Sequence, residues 1–420
     1  MCLNRRLPHR QQAPPLPLRN TRMKKSTSQN DKSLKSSLIV AICFGCVFVI
    51  ALVIFILSRT VIPAETVSKL YTDGIFYYIS WPIKKAISYF PFSFAEILLY
   101  VCVIAVPAAF IAAIIRTVSR IREQAFFRSS GERKPLFHIF KPFIRFLLST
   151  ATLIFILGSS FILFGGINYN GLTFAEKAGY TTEEYSVSQL RDLCAYIASE
   201  ATQARNALVL KRDGMIDDGY IEYNLFKLTD DAVSAYAALP DRFAYLKRDY
   251  PPAKPAIGSV IMSNIHITGI YPYIVPEAIV NAQTPIMSLP HTICHEMAHQ
   301  RGFAREDEAN YIGYLACVNS DNPLFVYSGY YTAFSYAMDQ LHGYDADAWN
   351  EIAASVDAGV WLDMAAENEF WDQFKTIDNN FTSSVNNTYL TVMNVDDGVH
   401  SYGRMVDLLI ADAIERGIIE

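Results

Sequence analysis

Between His295 and Asn310 the chain reads HEMAHQRGFAREDEAN, and side chains able to do metal chemistry crowd together there. His295 and His299 stand four apart, so on a helix they share one face, with Cβ atoms ~5–6 Å apart. Both imidazoles can then reach one ion, and neutral imidazole nitrogen binds zinc at ~2.0–2.1 Å. Glu296 lies one step further round the helix and faces the ion's open position. There it can act as general base on a metal-activated water. This is the physical content of the H-E-x-x-H spacing. Pro290 before the motif and Gly302 after it predict a short helix with a sharp stop.

A catalytic zinc needs a third protein ligand and a free position. Metzincin peptidases would carry a third histidine at position 305, which is Arg305 here, so that class is not expected. The next stretch, REDEANYIGYLACV, offers carboxylates instead. Glu306 is the expected third ligand and Glu308 the alternative, although acids also favour a helix N-terminus for purely electrostatic reasons. Two imidazoles and a carboxylate suit Zn2+. Asn310 stands one turn after Glu306, where glutamate-type zinc peptidases carry an Asp that holds a ligand histidine. Its carbonyl oxygen can do the same work. His291, one turn before His295, is expected to pack rather than ligate.

These residues must be held by something, and the composition says where. The 420-residue chain is 51% hydrophobic and 18% charged, apolar for a soluble protein. The excess lies in three uncharged runs, Leu38 to Leu57, Ile97 to Ile115 and Phe146 to Ile167. Each is long enough to cross a hydrocarbon core of ~30 Å as a helix. Three membrane spans are therefore expected at about 38–57, 97–115 and 146–167. The first is read as an anchor rather than a cleaved signal, since no small-residue cleavage site follows it.

Charge sets the expected orientation. Residues 1–165 hold 21 Lys/Arg and 6 Asp/Glu, whereas residues 166–420 hold 15 Lys/Arg and 35 Asp/Glu, a net of −20. The cations cluster before the first span and around the loop between the second and third. By the positive-inside tendency the N-terminus is inside and everything after the third span lies outside the cytoplasmic membrane. An acidic outer domain argues against nucleic acid and against docking on anionic lipid. The polar, Pro-rich residues 1–36 are expected to be a basic, disordered cytoplasmic tail. Met23-Lys24-Lys25 inside it reads as a second possible start.

Beyond the spans, Ile75 to Ser93 is aromatic around Lys84 and Lys85 and suits either an interfacial helix or a short packed one. Ser186 to Ala207 and Thr229 to Leu239 read as helices, Ser259 to Asn281 as one or two short strands, and the chain from Pro290 as mostly helical. Cys194, Cys294 and Cys317 make no disulfide framework, although a Cys294–Cys317 bridge is conceivable.

HEMAHQRGFAREDEANYIGYLAC, GIYPYIVPEAIVN and VNNTYLTVMNVDDGVHSYGRMVDLLIA together resemble a family of bacterial membrane proteins catalogued as domain of unknown function 3810, grouped with zincin-like metallopeptidases. The resemblance runs over most of residues 38–417. It implies three N-terminal transmembrane helices followed by a mostly α-helical α+β zincin-like domain with a small sheet, residues 168–420. It also implies a hydrolytic site and supports Glu306. In zincins an edge strand beside the site helix carries the peptide, which here points to Ile267 to Val280. Tyr402 and Arg404 in SYGRM are candidate partners for a developing oxyanion, ahead of Tyr327 and Tyr330.

The expected function is thus a membrane-anchored zinc peptidase. His295, His299 and Glu306 would hold the metal, Glu296 would act as base, and the substrate would be a peptide or protein at the cell envelope. A zinc-stabilised sensor without turnover is the rival, favoured only by Asn310 in place of Asp. A transport or assembly role in the spans is weaker, since the spans carry no central charge.

Overall fold

A computed structural model of the chain describes residues 18–127, 135–181, 185–216, 225–374 and 404–420. Three helices carry the apolar runs: α1 (Leu18–Thr60), α3 (Phe94–Phe127) and α4 (Leu136–Phe164). Three segments, Ser33–Thr60 in α1, Phe94–Ala125 in α3 and Leu136–Asn170, which is α4 with the 3-10 turn Gly166–Asn170 after it, are long and apolar enough to cross a membrane and contain all three expected spans. Their Leu, Ile, Val and Phe side chains are largely exposed. Water would not tolerate that over such lengths, so this is the surface of a membrane protein. Helix α1 already begins at Leu18, so part of the stretch expected to be a disordered tail is helical. Once nucleated by the span, helical hydrogen bonding propagates cheaply into the flanking polar residues.

The chain divides into two compact units. The first comprises Met1–Phe48 and Ile104–Ile156. Inside it Gly45 lets the ring of Phe155 approach the α1 backbone, Phe110 packs on Phe143 and Phe146, and Arg120 donates to the His138 carbonyl at 2.7 Å.

The second unit comprises Val49–Val103 and Leu157–Glu420. The body that holds the 168–420 region therefore also takes in the segment between the first two spans. That segment is a π-helical stretch, Val67–Phe76, running into α2 (Tyr77–Ser88). Phe76, Ser80 and Lys84, four apart, are fully buried on one face, so α2 is a packed helix. Its other face keeps Tyr78, Ile79 and Ile83 exposed. Thr72 donates to Asn168 at 3.1 Å, and the Tyr71 hydroxyl donates to the Leu163 carbonyl.

Helices α5 (Val187–Asn206) and α6 (Leu225–Ala238) match the expected positions, α5 with a capping box at Ser186. Then come β1 (Lys254–Pro255), α7 (Ser259–Asn264), β2 (Gly269–Ile270) and β3 (Ile279–Val280). The sheet order is β1-β3-β2, with β1 parallel and β2 antiparallel to β3 and Gly269 opposite Val280. The small sheet beside many helices is the one expected.

The core of this unit is built on α8 (Leu289–Gln300), α9 (Glu306–Val318) and α10 (Pro323–Tyr344). Pro290 sits in the first turn of α8, and Gly302, at φ +91°, makes the left-handed step that ends it. Gly313 lets α9 lie close against α8, since a Cβ there would come within 3.2 Å of the His295 backbone nitrogen. Helices α11 (Ala346–Ser355), α12 (Ala358–Asp372) and α13 (Arg404–Glu415) complete the unit. Cys194, Cys294 and Cys317 are buried and free, and the last two hydrogen-bond instead of bridging.

Candidate metal centre

Helix α8 is buried along nearly its whole length although it carries three histidines and a glutamate. Burying such groups is costly unless something pairs them. Its C-terminal end is held by α2, where the Lys84 ammonium donates to the Gln300 carbonyl at 2.7 Å and to Ser80 Oγ at 3.0 Å. A cation at a helix C-terminus is favourable. Burial, with Arg301 nearby, pushes the Lys84 pKa well down.

The turn after α8 brings α9 back so that Glu306 faces the two motif histidines. His295 Nε2 lies 3.2 Å from Glu306 Oε2, His299 Nε2 3.7 Å from Glu306 Oε1, and the two Nε2 atoms are 3.2 Å apart. Three donors of a tetrahedral zinc at ~2.0–2.1 Å stand about 3.3 Å from one another, so the observed spacing fits the ion. His299 Nδ1 donates to the Phe303 carbonyl at 2.7 Å. A carbonyl only accepts, so that bond puts the proton on Nδ1 and leaves the Nε2 lone pair for a metal.

The electrostatics show what the cluster does without an ion. Burial opposes charge on Glu306, but His299 and hydrogen bonds from both histidines outweigh it and hold the carboxyl far below its usual range. Burial likewise opposes charge on His299, yet Glu306 outweighs it and the pKa rises to about 9. Glu296 is different: burial raises it to about 7, against the pull of His295 and His299. Its Oε2 is buried with no hydrogen-bond partner. Gly269 of β2 lies directly against it, since a Cβ there would stand 2.5 Å from Glu296 Oε1. The edge strand and Glu296 are thus in contact.

The structure brings together His295, His299, Glu306 and Glu296. It turns Glu308 elsewhere, to accept the Phe174 backbone N–H at 2.9 Å. His291 packs as expected, its Nε2 donating to the Asn310 carbonyl at 2.9 Å. The Asn310 side chain does not hold a ligand histidine. Its amide donates to Tyr336 Oη at 3.3 Å, and His295 Nδ1 has no partner. Tyr327 and Tyr330 are packed away, on Asp363 and on Tyr196. Tyr402 lies outside the described residues, and of Arg404 only the backbone, opening α13, is described.

Three contributors were not singled out individually in the sequence, although two of them lie in the GIYPYIVPEAIVN stretch. Tyr271 and Tyr273 set their rings 6.2 and 6.3 Å from that of His299. Tyr336 lies close enough for the charge of Glu306 to raise its pKa after burial has done so. A pattern of helix faces cannot reveal them, because they arrive from a loop and from α10.

The sequence model of a family described as "Protein of unknown function (DUF3810)" matches residues 71–410, and the chain belongs to that family. No curated protein and no solved structure matches it.

Proposed function

We propose that this DUF3810 family member is a membrane-anchored, zincin-like, zinc-dependent peptidase whose site lies outside the cytoplasmic membrane. The observation that carries the reading is the convergence of His295, His299 and Glu306 at zinc-donor spacing beside a buried, unpartnered Glu296. His295, His299 and Glu306 would hold Zn2+, which when bound supplies a Lewis acid to polarise a carbonyl and acidify water.

The chain's own residues do the rest. Glu296 Oε2 takes the proton of the attacking water and returns it to the leaving amine, a task suited to a carboxylate whose pKa burial has moved toward neutrality. Strand β2 is an edge among the described residues, so a peptide can add beside Gly269 by backbone hydrogen bonds and pass next to Glu296. Phe303 holds His299 in the tautomer required.

The test uses the full-length protein in detergent, since residues 49–103 are part of the unit holding the site. Wild type and Glu296→Gln should each carry one zinc, His295→Ala none, and only wild type should cleave a mixed peptide library. A wild type without metal would overturn the reading. The second reading, a zinc-stabilised sensor domain, draws support from the unanchored His295 Nδ1. Zinc in the same pattern with no cleavage by any form would select it.

A further inference from the structure

The site stands on the outer ends of membrane helices. The sheet is tied to the first turns of α3: Glu277 Oε1, two residues before β3, accepts from Ser93 Oγ at 2.6 Å and from the Ala95 backbone at 2.7 Å. Lys254 of β1 donates to the carbonyls of Ile87 and Phe92 at 2.7 and 3.1 Å and pairs with Glu277 at 3.1 Å. On the other side Tyr273, three residues past the β2 residue Ile270, packs on Phe161 near the end of α4, ring centroids 5.9 Å apart, and lies against Gly165. The ring of Tyr273 in turn meets that of His299. Two ring contacts therefore link the ligand cluster to a membrane helix.

Helix α7 goes deeper still. Glu96 in the first turn of α3 accepts the backbone N–H groups of Ile257 and Gly258, both at 2.8 Å. Gly258 lies so close to Tyr100 that a Cβ would stand 2.5 Å from its hydroxyl. Tyr100 is six residues into α3, about 9 Å along its axis from Phe94. The side chains that α7 and its entry turn expose at that level are Ile257 (61%), Val260 (58%) and Ile261 (59%). Leu99 and Val101, on either side of Tyr100 in α3, are exposed as well. An exposed apolar ridge continuous with a membrane span is covered by lipid.

We infer that α7 dips into the bilayer and seats the β2 edge at the membrane surface, so that the site takes polypeptides tethered in that bilayer, cut close to their anchor. This rests on the peptidase reading above and adds its substrate class. The exposed Ile270 on β2 and Ile274 after it suit an apolar segment emerging from the membrane.

The full-length protein is reconstituted in phosphatidylethanolamine/phosphatidylglycerol vesicles. A peptide that it cleaves in solution is offered free, or acylated with a spacer of about three residues or about twenty between acyl chain and scissile bond. At ~3.3 Å per residue the short spacer reaches only ~10 Å from the anchor. Cleavage of the short-spacer form at least as fast as the long one is expected. Cleavage of the long form with the short one spared would overturn the inference and leave the peptidase reading intact. Cleavage of the free peptide alone, with both acylated forms spared, would likewise overturn the inference and leave the peptidase reading intact. Independently of activity, Val260→Cys carrying an environment-sensitive fluorophore should be quenched by acyl-chain spin labels beyond the labelled wild type. A water-exposed, unquenched label would overturn the placement of α7.

Discussion

Two buried polar clusters in the second unit invite comparison. In one, Arg205 donates Nε to Asp363 Oδ2 at 2.7 Å and Nη2 to Asp363 Oδ1 and the Gly214 carbonyl, and Tyr327 donates to the same carboxylate at 2.6 Å. Arg205 and Asp363 have no orphaned buried atom. In the other, Glu296 Oε2 and His295 Nδ1 are buried without partners. Both clusters bear charge away from water, but only the first is closed upon itself. A closed cluster has no capacity left for a ligand and serves to orient α5 and α12. An open one keeps an energetic debt that an ion and a substrate can relieve.

Breaking the closed cluster should have the largest effect on stability. Asp363→Ala leaves the Arg205 guanidinium buried and uncompensated and should cost ~3–5 kcal/mol, with zinc stoichiometry of the folded fraction unchanged. Thermal unfolding in detergent with metal analysis checks it. Opening the site cluster should do the reverse. Glu296→Gln should lower hydrolysis by ~10²–10⁴-fold while leaving the unfolding temperature unchanged or higher, because an unpaired buried carboxyl is removed. A matching fall in stability would show that Glu296 is structural.

The glycines beside the clusters sharpen the contrast. A Cβ at Gly359 would fall 1.9 Å from Arg205 Nη1, and one at Gly269 2.5 Å from Glu296 Oε1. Gly359→Ala should therefore act on stability, by ~1–3 kcal/mol of overpacking. Gly269→Ala should act chiefly on turnover, read by comparing kcat with unfolding temperature. The smallest effect is expected for Tyr336→Phe, which deletes the hydrogen bond to Asn310 for ~0.5–1.5 kcal/mol and leaves the ligand set complete.

The features that were legible share one property: each follows from short-range periodicity or composition. The three expected spans lie inside the apolar segments found, α5 starts at its capping serine, and Pro290 and Gly302 bound the site helix. What failed or stayed open was long-range. Asn310 was expected beside a ligand histidine, yet a hydroxyl 26 residues further on takes its amide. The choice between Glu306 and Glu308 could not be made from two acids on one helix turn. It depends on how closely Gly313 lets α9 approach α8 and on Phe174 claiming Glu308. The segment between the first two spans read equally as a surface or a packed helix, and the burial of Lys84 against the end of α8 makes it packed.

By itself the sequence determined that three apolar helices precede an acidic domain and that two imidazoles share a helix face with carboxylates a few residues beyond, because hydrophobic length and the helical repeat are local rules. Only the tertiary structure decided which carboxylate joins them, that an edge glycine lies on Glu296, and that the sheet rests on the ends of membrane helices. Those contacts join residues up to some two hundred positions apart, and no local rule constrains a distance that only the packing of whole elements sets.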